Sequence, residues 1–401
     1  STSSTTTTTY YIPTALRSVT VTGGYLLRGA FYNCSNLTSV SFQEDVITIG
    51  SYAFYNCSSL TSFTLPANTV NINDYAFYGC SSLTGMTIPA SVTLIGKYAF
   101  YNCSAMASAN IPEGITVINE RSFYGCSSLT EISIPESVQT IGTFARCAFT
   151  EVEIPDSVTS IGAGVFSGCA SLESITIPFV GESVKTATDT NRYPFGYIFG
   201  TSSYTGGTST SQSYYGSSTT STTSSTYYIP TVLTSVTVTG GDIFRGAFQN
   251  CRNLEEIVLS EDVTTIPDYA FYKCAALTEL DIPSGVTSIG GYAFQDCTGI
   301  TELVIPGGVS SFGTYAFDGC TALTSCNIPE GTATIPNYLF ADCSALESIT
   351  IPESVSSIGE YAFDHCSALD VISIPDSVLT IGAYAFRGCS GLTNVVVPES
   401  V

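Results

Sequence analysis

Residues 346–368, with the sequence LESITIPESVSSIGEYAFDHCSA, form one copy of a 23-residue unit that recurs along most of the chain. Its cysteine returns every 23 residues from Cys34 to Cys126 and again from Cys251 to Cys389. The steps to Cys147 and Cys169 are shortened to 21 and 22 residues by a trimmed turn. Phenylalanines and Ile-Pro pairs follow the same period. Repetition of this kind is typical of solenoids, in which each unit stacks on its neighbours.

The apolar positions within a unit predict how one coil folds. In residues 129–135, LTEISIP, the side chains of Leu129, Ile132 and Ile134 are expected to point inward, while Glu131 and Ser133 point outward. This alternation predicts a half-buried strand, which the proline ends. The V-T-x-I segment predicts a second extended piece, and A-F-x-x-C-S predicts a single helical or 3₁₀ turn. We therefore expect a curved, β-rich repeat solenoid of about fourteen coils with a parallel ladder.

A longer period divides the chain, because the segment SVTVTGG occurs at residues 18–24 and again at 235–241, an offset of 217 residues. Residues 1–178 are predicted to form a first array of about seven coils. Residues 179–226 are an insertion. Residues 227–401 are predicted to form a second array of about seven coils, continuous with the first.

The insertion has two compositions. Residues 202–226 are rich in Ser, Thr and Gly, which is typical of a flexible or solvated loop. Residues 194–200, PFGYIFG, are too apolar to remain in water, and we expect them to dock on a neighbouring coil. Residues 1–9 match the end of the loop, and the chain stops inside a unit. We therefore expect a fragment of a longer protein.

Composition excludes several classes of function. The 401 residues include 11 Lys+Arg against 33 Asp+Glu, for a formal net charge of −22. Nucleic acid and anionic membrane surfaces are therefore excluded as direct partners. No apolar run approaches the ~18 residues of a membrane span, so we expect no direct membrane insertion. The 44% of hydrophobic residues supplies a large core and argues against global disorder.

The fifteen cysteines are predicted to be buried free thiols. No C-x-x-C pair suggests a zinc site. Neighbours in a parallel ladder lie ~4.8 Å apart, whereas the Cβ atoms of a disulfide average ~3.8 Å apart. Fourteen cysteines share one inward register, and Cys326 occupies an inward strand position. We expect no metal site and no cofactor.

The single histidine, His365, adjoins Cys366. A Cys-His pair can act as nucleophile and base, but Cys366 has thirteen register mates without a histidine, and adjacent side chains rarely converge. A serine triad needs a histidine as well. The sequence therefore predicts no catalytic residue, and a protein that is not an enzyme.

Carboxylates on the predicted exposed strand columns are the candidate ligand-binding residues: Glu131, Glu151, Glu153, Glu256, Glu279, Asp281 and Glu302. A second acidic column follows the proline at Glu330, Glu353, Asp376 and Glu399. Such columns suit a basic partner or Ca²⁺, but no D-x-[DN]-x-[DN]-G loop supports a dedicated calcium site. The alternative is a solvated face that keeps a solenoid with few charges soluble.

Six successive units of the second array carry a tyrosine two places before the phenylalanine: Tyr269, Tyr292, Tyr315, Tyr338, Tyr361 and Tyr384. Tyrosine supplies amphipathic contact area, which suits an interface. The alternative is a stacked ladder that shields one wall of the solenoid.

The unit resembles the BspA-type (Bacteroides surface protein A-like) leucine-rich repeats, also called the Treponema pallidum class. Residues 129–138, LTEISIPESV, and 95–103, IGKYAFYNC, carry the resemblance. It implies a right-handed leucine-rich-repeat horseshoe on the surface of bacteria or mucosal parasites, in contact with host proteins or other cells. The family has no shared catalytic residues, so the resemblance assigns none here.

These observations lead to two hypotheses of function. The first is a non-enzymatic, extracellular adhesion protein at the cell surface, which contacts a host or neighbouring-cell protein or glycan through its exposed strand face. The second is a structural spacer or filament segment of a larger extracellular protein, which holds another domain away from the cell. Self-association end to end is a further expectation for such a solenoid. Outward strand residues that are merely Ser or Thr, such as Ser39, Ser62 and Thr64, suit the spacer.

Overall fold

The computed structural model describes residues 13–43, 46–183, 193–215 and 222–401. The chain forms a parallel-strand β-solenoid of about 16 turns with almost no helix. It separates into two compact units, Ser1–Ala148 and Phe149–Val401. The expected linker at residues 1–9 lies outside the described residues. Within the described ranges, no helix is both long and apolar enough to cross a bilayer.

Two ladders of short strands run through each unit. The first ladder precedes the Ile-Pro pairs, and its exposed side is called the strand face; the second ladder follows the proline. The strands of the first unit are β1 (Ser18–Val21), β2 (Tyr25–Leu26), β3 (Ser39–Phe42), β4 (Thr48–Ile49), β5 (Asn71–Ile72), β6 (Gly85–Met86), β7 (Leu94–Ile95), β8 (Ser108–Ala109), β9 (Val117–Ile118) and β10 (Thr140–Ile141). Its strand-face members are β1, β3, β6 and β8, and all pairs are parallel.

The second unit continues the same alternation and adds one hairpin. Its strands are β11 (Glu151–Glu153), β12 (Ser160–Ile161), β13 (Ser174–Ile177), β14 (Gly207–Tyr215), β15 (Thr222–Pro230), β16 (Ser235–Val238), β17 (Glu256–Val258), β18 (Thr265–Ile266), β19 (Ser288–Ile289), β20 (Glu302–Leu303), β21 (Ser311–Phe312), β22 (Ser325–Cys326), β23 (Thr334–Ile335), β24 (Ser348–Thr350), β25 (Ser357–Ile358), β26 (Val371–Ser373), β27 (Thr380–Ile381) and β28 (Asn394–Val396). On the strand face, β13 pairs directly with β16, with Ile175 opposite Val236.

The A-F-x-x-C segment is not the helical or 3₁₀ turn that the sequence predicts. Alternate amides close tight turns, as Ala53 N–H does with the carbonyl of Gly50 at 3.0 Å. The amides between them donate to the next coil, as Phe54 N–H does to Ala76 at 2.7 Å. Tyr52 adopts a φ of 61°, in the left-handed region. A helix needs every amide for itself, so bonding between coils takes its place.

Phenylalanines and cysteines fill the interior, as predicted. The rings of Phe54 and Phe77 stack at 5.3 Å, and both side chains are fully buried. All fifteen cysteines are buried. The Cys80 thiol donates to the carbonyl of Phe54 at 3.1 Å, and the same contact recurs in successive coils. Burial raises the pKa of Cys126 to about 12, so the thiol stays protonated at neutral pH.

The apolar part of the insertion forms an additional layer of the solenoid. Phe195 N–H donates to the carbonyl of Ala247 at 2.9 Å, and Phe166 N–H donates to Ile198 at 2.9 Å. The rings of Phe195 and Phe248 lie 5.3 Å apart. A 3₁₀ helix spans Phe195–Ile198. The segment therefore supplies a turn beyond the fourteen counted from the cysteines.

The Ser/Thr-rich part of the insertion was expected to be a flexible or solvated loop, and this expectation was wrong for its described residues. Strands β14 and β15 pair antiparallel, from Gly207 opposite Pro230 to Tyr215 opposite Thr222. Buried Gln212 anchors the hairpin, accepting from Gly196 N–H and donating to the carbonyl of Gln249, both at 2.7 Å. Threonine and tyrosine favour strands, and a hairpin satisfies its own backbone without an apolar run.

Candidate functional site

All seven predicted acidic residues are exposed along the strand ladder. Glu256 and Glu279 face each other across a parallel bridge. Glu256 also accepts a 2.8 Å hydrogen bond from the Ser235 hydroxyl. Carboxylates about one strand spacing apart in water repel by roughly 0.8 kcal/mol. No Lys or Arg among the described residues forms an ion pair with either carboxylate, so the pair places negative charge on the strand face of the second unit.

The other five acidic residues are more dispersed. Glu151 and Glu153 flank buried Val152 on β11, opposite Ser174 and Thr176. Their partners in the ladder are thus neutral hydroxyl side chains. The remaining three are Asp281 and Glu302 in the second unit and Glu131 in the first unit. In the described parts of the two units, Glu256 and Glu279 are the only two of the seven that pair directly across neighbouring strands.

A groove of about 900 Å³ lies on the strand face of the first unit. Its outward wall carries small polar groups, including Ser62, Thr64, Thr87 and Ser108, and Glu131 lies at one end. Unlike the neighbouring coils, residues 62–64 form no strand and no β-bridge. The groove therefore combines hydroxyl groups with backbone groups that are not used in a ladder.

A bulky inward side chain explains why the ladder breaks. Phe63 occupies an inward strand position and meets the rings of Phe54 and Phe77 edge-on at 4.9 and 4.8 Å. It also meets Phe42 at 5.5 Å. Other coils place smaller side chains at this position, such as Val40. A ring wedged into a column of stacked rings prevents the backbone from approaching to strand-pairing distance.

At the edge of the groove, an asparagine side chain forms the hydrogen bonds that a backbone partner would form in the strand ladder. Asn110 Oδ1 accepts from Ile88 N–H at 2.9 Å, and its Nδ2 donates to the Ile88 carbonyl at 2.8 Å. In the second unit, Asn327 makes the same two bonds to Ile305, at 2.7 and 2.9 Å. We call this arrangement the asparagine clamp. The two clamps are 217 residues apart, which is the period of the long repeat.

The second clamp also adjoins a groove, of about 320 Å³, on the strand face of its own unit. Glu302, Val304 and Ser325 line it, and Val304 is 78% exposed. This groove is smaller, acidic and partly apolar, whereas that of the first unit is larger and rich in hydroxyls. Sequence reasoning missed both grooves, although the motifs SANIPEG at 108–114 and SCNIPEG at 325–331 carried a signal.

The residues considered for catalysis are not brought together. The His365 imidazole lies near the carboxylates of Asp364 and Asp342, at 3.3 and 3.6 Å. The Cys366 thiol instead donates to the carbonyl of Phe340 at 3.1 Å. Its hydrogen bond with Cys389, together with burial, raises the pKa of Cys366. Within the described residues, no group of three or more His, Cys, Asp or Glu side chains could hold a metal ion.

Solved structures with a similar fold include several bacterial leucine-rich-repeat proteins. A Bacteroides ovatus leucine-rich repeat protein is 26% identical, with 84% of this chain and 81% of that chain covered and a TM-score of 0.47. A leucine-rich cell surface protein of Faecalibacterium prausnitzii is 29% identical, with coverage of 94% and 87% and a TM-score of 0.36. A T. pallidum leucine-rich repeat protein is 23% identical, with coverage of 66% and 78% and a TM-score of 0.30.

No curated protein matches the chain. The profile of the BspA type leucine rich repeat region matches six copies, over residues 25–145, 142–191, 241–370 and 310–401. These matches cover most of the sequence, including both units. The chain therefore belongs to the family of BspA-type leucine-rich-repeat proteins.

Proposed function

We propose that this chain is a non-enzymatic, extracellular adhesion protein that binds a host or neighbouring-cell protein through the grooves of its strand face. Repeat proteins of this family commonly mediate protein–protein interaction and are typically scaffolds without catalytic activity. The observation that carries the proposal is the pair of grooves beside Asn110 and Asn327. Each groove lies beside the equivalent asparagine of its own long repeat, so the chain forms this kind of surface twice.

The chemistry of the first groove favours an extended polypeptide as its partner. The backbone of residues 62–64 makes no strand ladder, so its amides and carbonyls can pair with those of a bound segment, as in strand addition. Hydroxyls of Thr87 and Ser108 add donors and acceptors. Glu131 favours a basic side chain at that end of the groove. The second groove, with Glu302 and Val304, suits a basic and partly apolar segment.

The proposed cell-surface location rests on the family and on composition. The related Faecalibacterium prausnitzii protein is described as a cell surface protein. The strongly acidic chain makes direct binding to anionic membranes unfavourable, so we propose that attachment relies on a part of the protein other than these repeats.

A binding assay with a groove-filling substitution tests this proposal. Purified extracellular-matrix and epithelial surface proteins are screened by surface plasmon resonance against the wild-type chain. Thr87→Trp fills the first groove from an exposed position, and the matched control is Thr20→Trp on β1 of the same face. We expect Thr87→Trp to weaken binding at least about tenfold, with no loss in the control. Equal binding by both variants would place the partner elsewhere.

Mutating the acidic residues examines the second unit separately. Glu256→Ala, Glu279→Ala and Glu302→Ala remove exposed carboxylates without touching the core. For a basic partner we expect slower association and weaker salt dependence. Unchanged kinetics for a confirmed ligand would remove these three residues from the site.

The second candidate, a structural spacer, is favoured by the way coils are joined. Phe54, Asn56 and Tyr52 each donate a backbone hydrogen bond to the next coil, and this pattern adds a third set of bonds to the two strand ladders. Such coupling resists bending. A constant end-to-end length in electron micrographs, together with no ligand in the screen, would favour the spacer.

A further inference from the structure

The turn segments of the first unit carry two adjoining columns of stacked tyrosines. In the first column, Tyr52 stacks on Tyr75 at 4.6 Å, and Tyr75 stacks on Tyr98 at 4.7 Å. The planes of these pairs differ by only 5° and 3°. The second column consists of Tyr32, Tyr55, Tyr78, Tyr101 and Tyr124, with neighbouring centroids 4.6 to 4.8 Å apart. We call the two columns together the tyrosine wall.

The stacking decides which part of each ring meets solvent. The columns touch each other side by side, with Tyr52 and Tyr55 at 5.7 Å. Because each ring covers the face of its neighbour, the half-buried tyrosines present their edges and hydroxyls outward. A ring edge carries the positive end of the quadrupole. Burial, with the neighbouring phenols, also raises the pKa of Tyr55 and Tyr75, so their hydroxyls remain donors.

Arginines close the ends of the columns. The Arg28 guanidinium lies 5.0 Å from the ring centroid of Tyr52. Arg121 lies 5.7 Å from that of Tyr98 and donates to its hydroxyl at 3.3 Å. Arg146 lies 5.5 Å from the ring of Tyr124. Three of the four column ends thus carry a cation, whereas the fourth, Tyr32, is 44% exposed.

These three arginines are exposed and, among the described residues, no carboxylate lies within ion-pair distance of any of them. Lys97 is different, since it pairs with Glu120 at 3.5 Å. Acidic residues outnumber basic ones by 33 to 11 in this chain, so unpaired arginines stand out. Their charge remains available to an external anion, although the chain as a whole is strongly negative.

The second unit lacks this combination, which makes the surface specific to the first. Its tyrosine column runs from Tyr269 to Tyr384, and beside it Tyr272 is followed by Gln295, Asp318 and Asp364 instead of further tyrosines. Arg245 and Arg387 lie over its end rings, but Arg387 is paired with Asp364. The stacked ladder foreseen for these tyrosines is therefore present, but carboxylates lie beside it. Negative charge there opposes an anionic ligand. In the first unit, Glu120 accepts a 3.3 Å hydrogen bond from the Tyr98 hydroxyl, but this carboxylate is paired with Lys97.

We propose that the tyrosine wall of the first unit binds a linear polysaccharide that carries uronic-acid carboxylates. Evenly spaced phenol hydroxyls match a polymer of repeating hydroxyl-bearing monomers better than the irregular surface of a folded acidic protein. The guanidinium groups of Arg28, Arg121 and Arg146 fit carboxylates in a planar, two-bond geometry. The three unpaired arginines stand near the ends of the wall, and Lys97 between them is paired with Glu120, so a polymer with at most one charge per monomer fits better than a densely sulfated one.

This surface differs from the strand-face grooves in residues and in ligand chemistry, so either proposal can fail without the other. The wall is formed by turn segments that contain Tyr52 and Tyr75, whereas the first groove is lined by residues such as Ser62 and Thr87. Binding to the wall is electrostatic in part and weakens as added salt screens it.

Polygalacturonate is the probe for the experiment, and biolayer interferometry with the full chain is the measurement. Its fully methyl-esterified form has the same backbone without charge, and poly-L-glutamate has the charge without sugar. The test variant combines Arg28→Gln, Arg121→Gln and Arg146→Gln. The matched control, Arg252→Gln, removes one exposed arginine from the second unit. Tyr78→Phe keeps the stacked ring and deletes one hydroxyl, in case the triple variant folds poorly.

We expect polygalacturonate to bind, with at least about tenfold weaker binding of the ester and of the triple variant. Arg252→Gln should bind as the wild type does, and Tyr78→Phe should weaken binding by a factor of about three. The proposal is overturned by no binding of polygalacturonate, by equal binding of the ester, or by wild-type affinity in a folded triple variant. Equal or tighter binding of poly-L-glutamate would also overturn it, in favour of an acidic polypeptide.

Discussion

Replacing Asn110 with alanine removes both bonds of the first asparagine clamp. The Ile88 N–H and carbonyl then lose their partners at 2.9 and 2.8 Å. A typical intramolecular hydrogen bond contributes about 1 kcal/mol net. Asn110 is exposed while Ile88 is 2% exposed, so water replaces the lost partners incompletely. We therefore expect local stability to fall by about 2 kcal/mol.

Amide hydrogen exchange measures this loss where it occurs, which matters because a repeat array need not unfold in one step. A decrease of about 2 kcal/mol corresponds to roughly 30-fold faster exchange at Ile88. The same sample contains its own control, since Ile305 keeps its clamp in Asn110→Ala. Asn327→Ala should show the reverse pattern. Exchange at Ile88 within a factor of two of wild type in Asn110→Ala would refute the reasoning.

The isosteric change Asn110→Asp tests whether the clamp contributes more to stability at acidic pH or at neutral pH. A protonated aspartic acid can donate to the Ile88 carbonyl as the amide does, whereas the anion cannot. The folded-state pKa of this acid is therefore expected above its unfolded value of about 3.9. Its contribution to stability is then fully present below about pH 3.9 and lost as the pH rises through the folded pKa. A variant whose clamp is weaker at pH 3.5 than at pH 7 would contradict this assignment.

Three further changes test other parts of the structure. Burial raises the pKa of Asp318 to about 6. The contribution of this group to folding stability is therefore fully present below about pH 4 and is lost as the pH rises through 6. Asp318→Asn should accordingly raise the melting temperature at pH 7.5 but not at pH 4. The fifteen buried thiols should resist Ellman's reagent in the native chain and all react in guanidinium, whereas rapid native labelling would contradict their burial. Gln212→Leu should speed proteolysis within residues 207–215, because two buried hydrogen bonds are lost, with exposed Thr226→Ala in β15 as the control.

Much of the fold was predictable because it depends on side chains that repeat. Phe54 and Cys57 lie at fixed positions in a 23-residue period, and burying them demands stacking. The exposure of residues such as Glu256 follows from alternation along the strand. These inferences needed only the direction of each side chain within a coil, which the sequence period supplies.

The turn segment could not be predicted by the same means. Residues such as Ala53 and Phe54 favour a helical turn locally, but the partner of each amide is set by the neighbouring coil. A preference for local hydrogen bonds therefore gave the wrong structure. The hairpin within residues 207–230 escaped prediction for a related reason: its anchor, Gln212, contacts Gln249, 37 residues away in sequence.

The candidate grooves depend on departures from the repeat, which a consensus conceals. Phe63 breaks a ladder only because it meets two particular rings, and Asn110 replaces a backbone partner only because Ile88 lies beside it. Averaging over copies removes both signals. Comparing the two long repeats position by position would have exposed the shared Asn110 and Asn327.

The turn-segment hydrogen bonds also give each array a polarity. Phe54 and Asn56 donate to carbonyls of the following coil, and Ala76 and Tyr78 accept them. Within the turn segments, a cut between two coils would bare N–H groups on one surface and carbonyl oxygens on the other, whereas the strand segments would bare both kinds of group on each surface. Two such surfaces match only head to tail, and this arrangement propagates as an open polymer instead of closing into a twofold dimer.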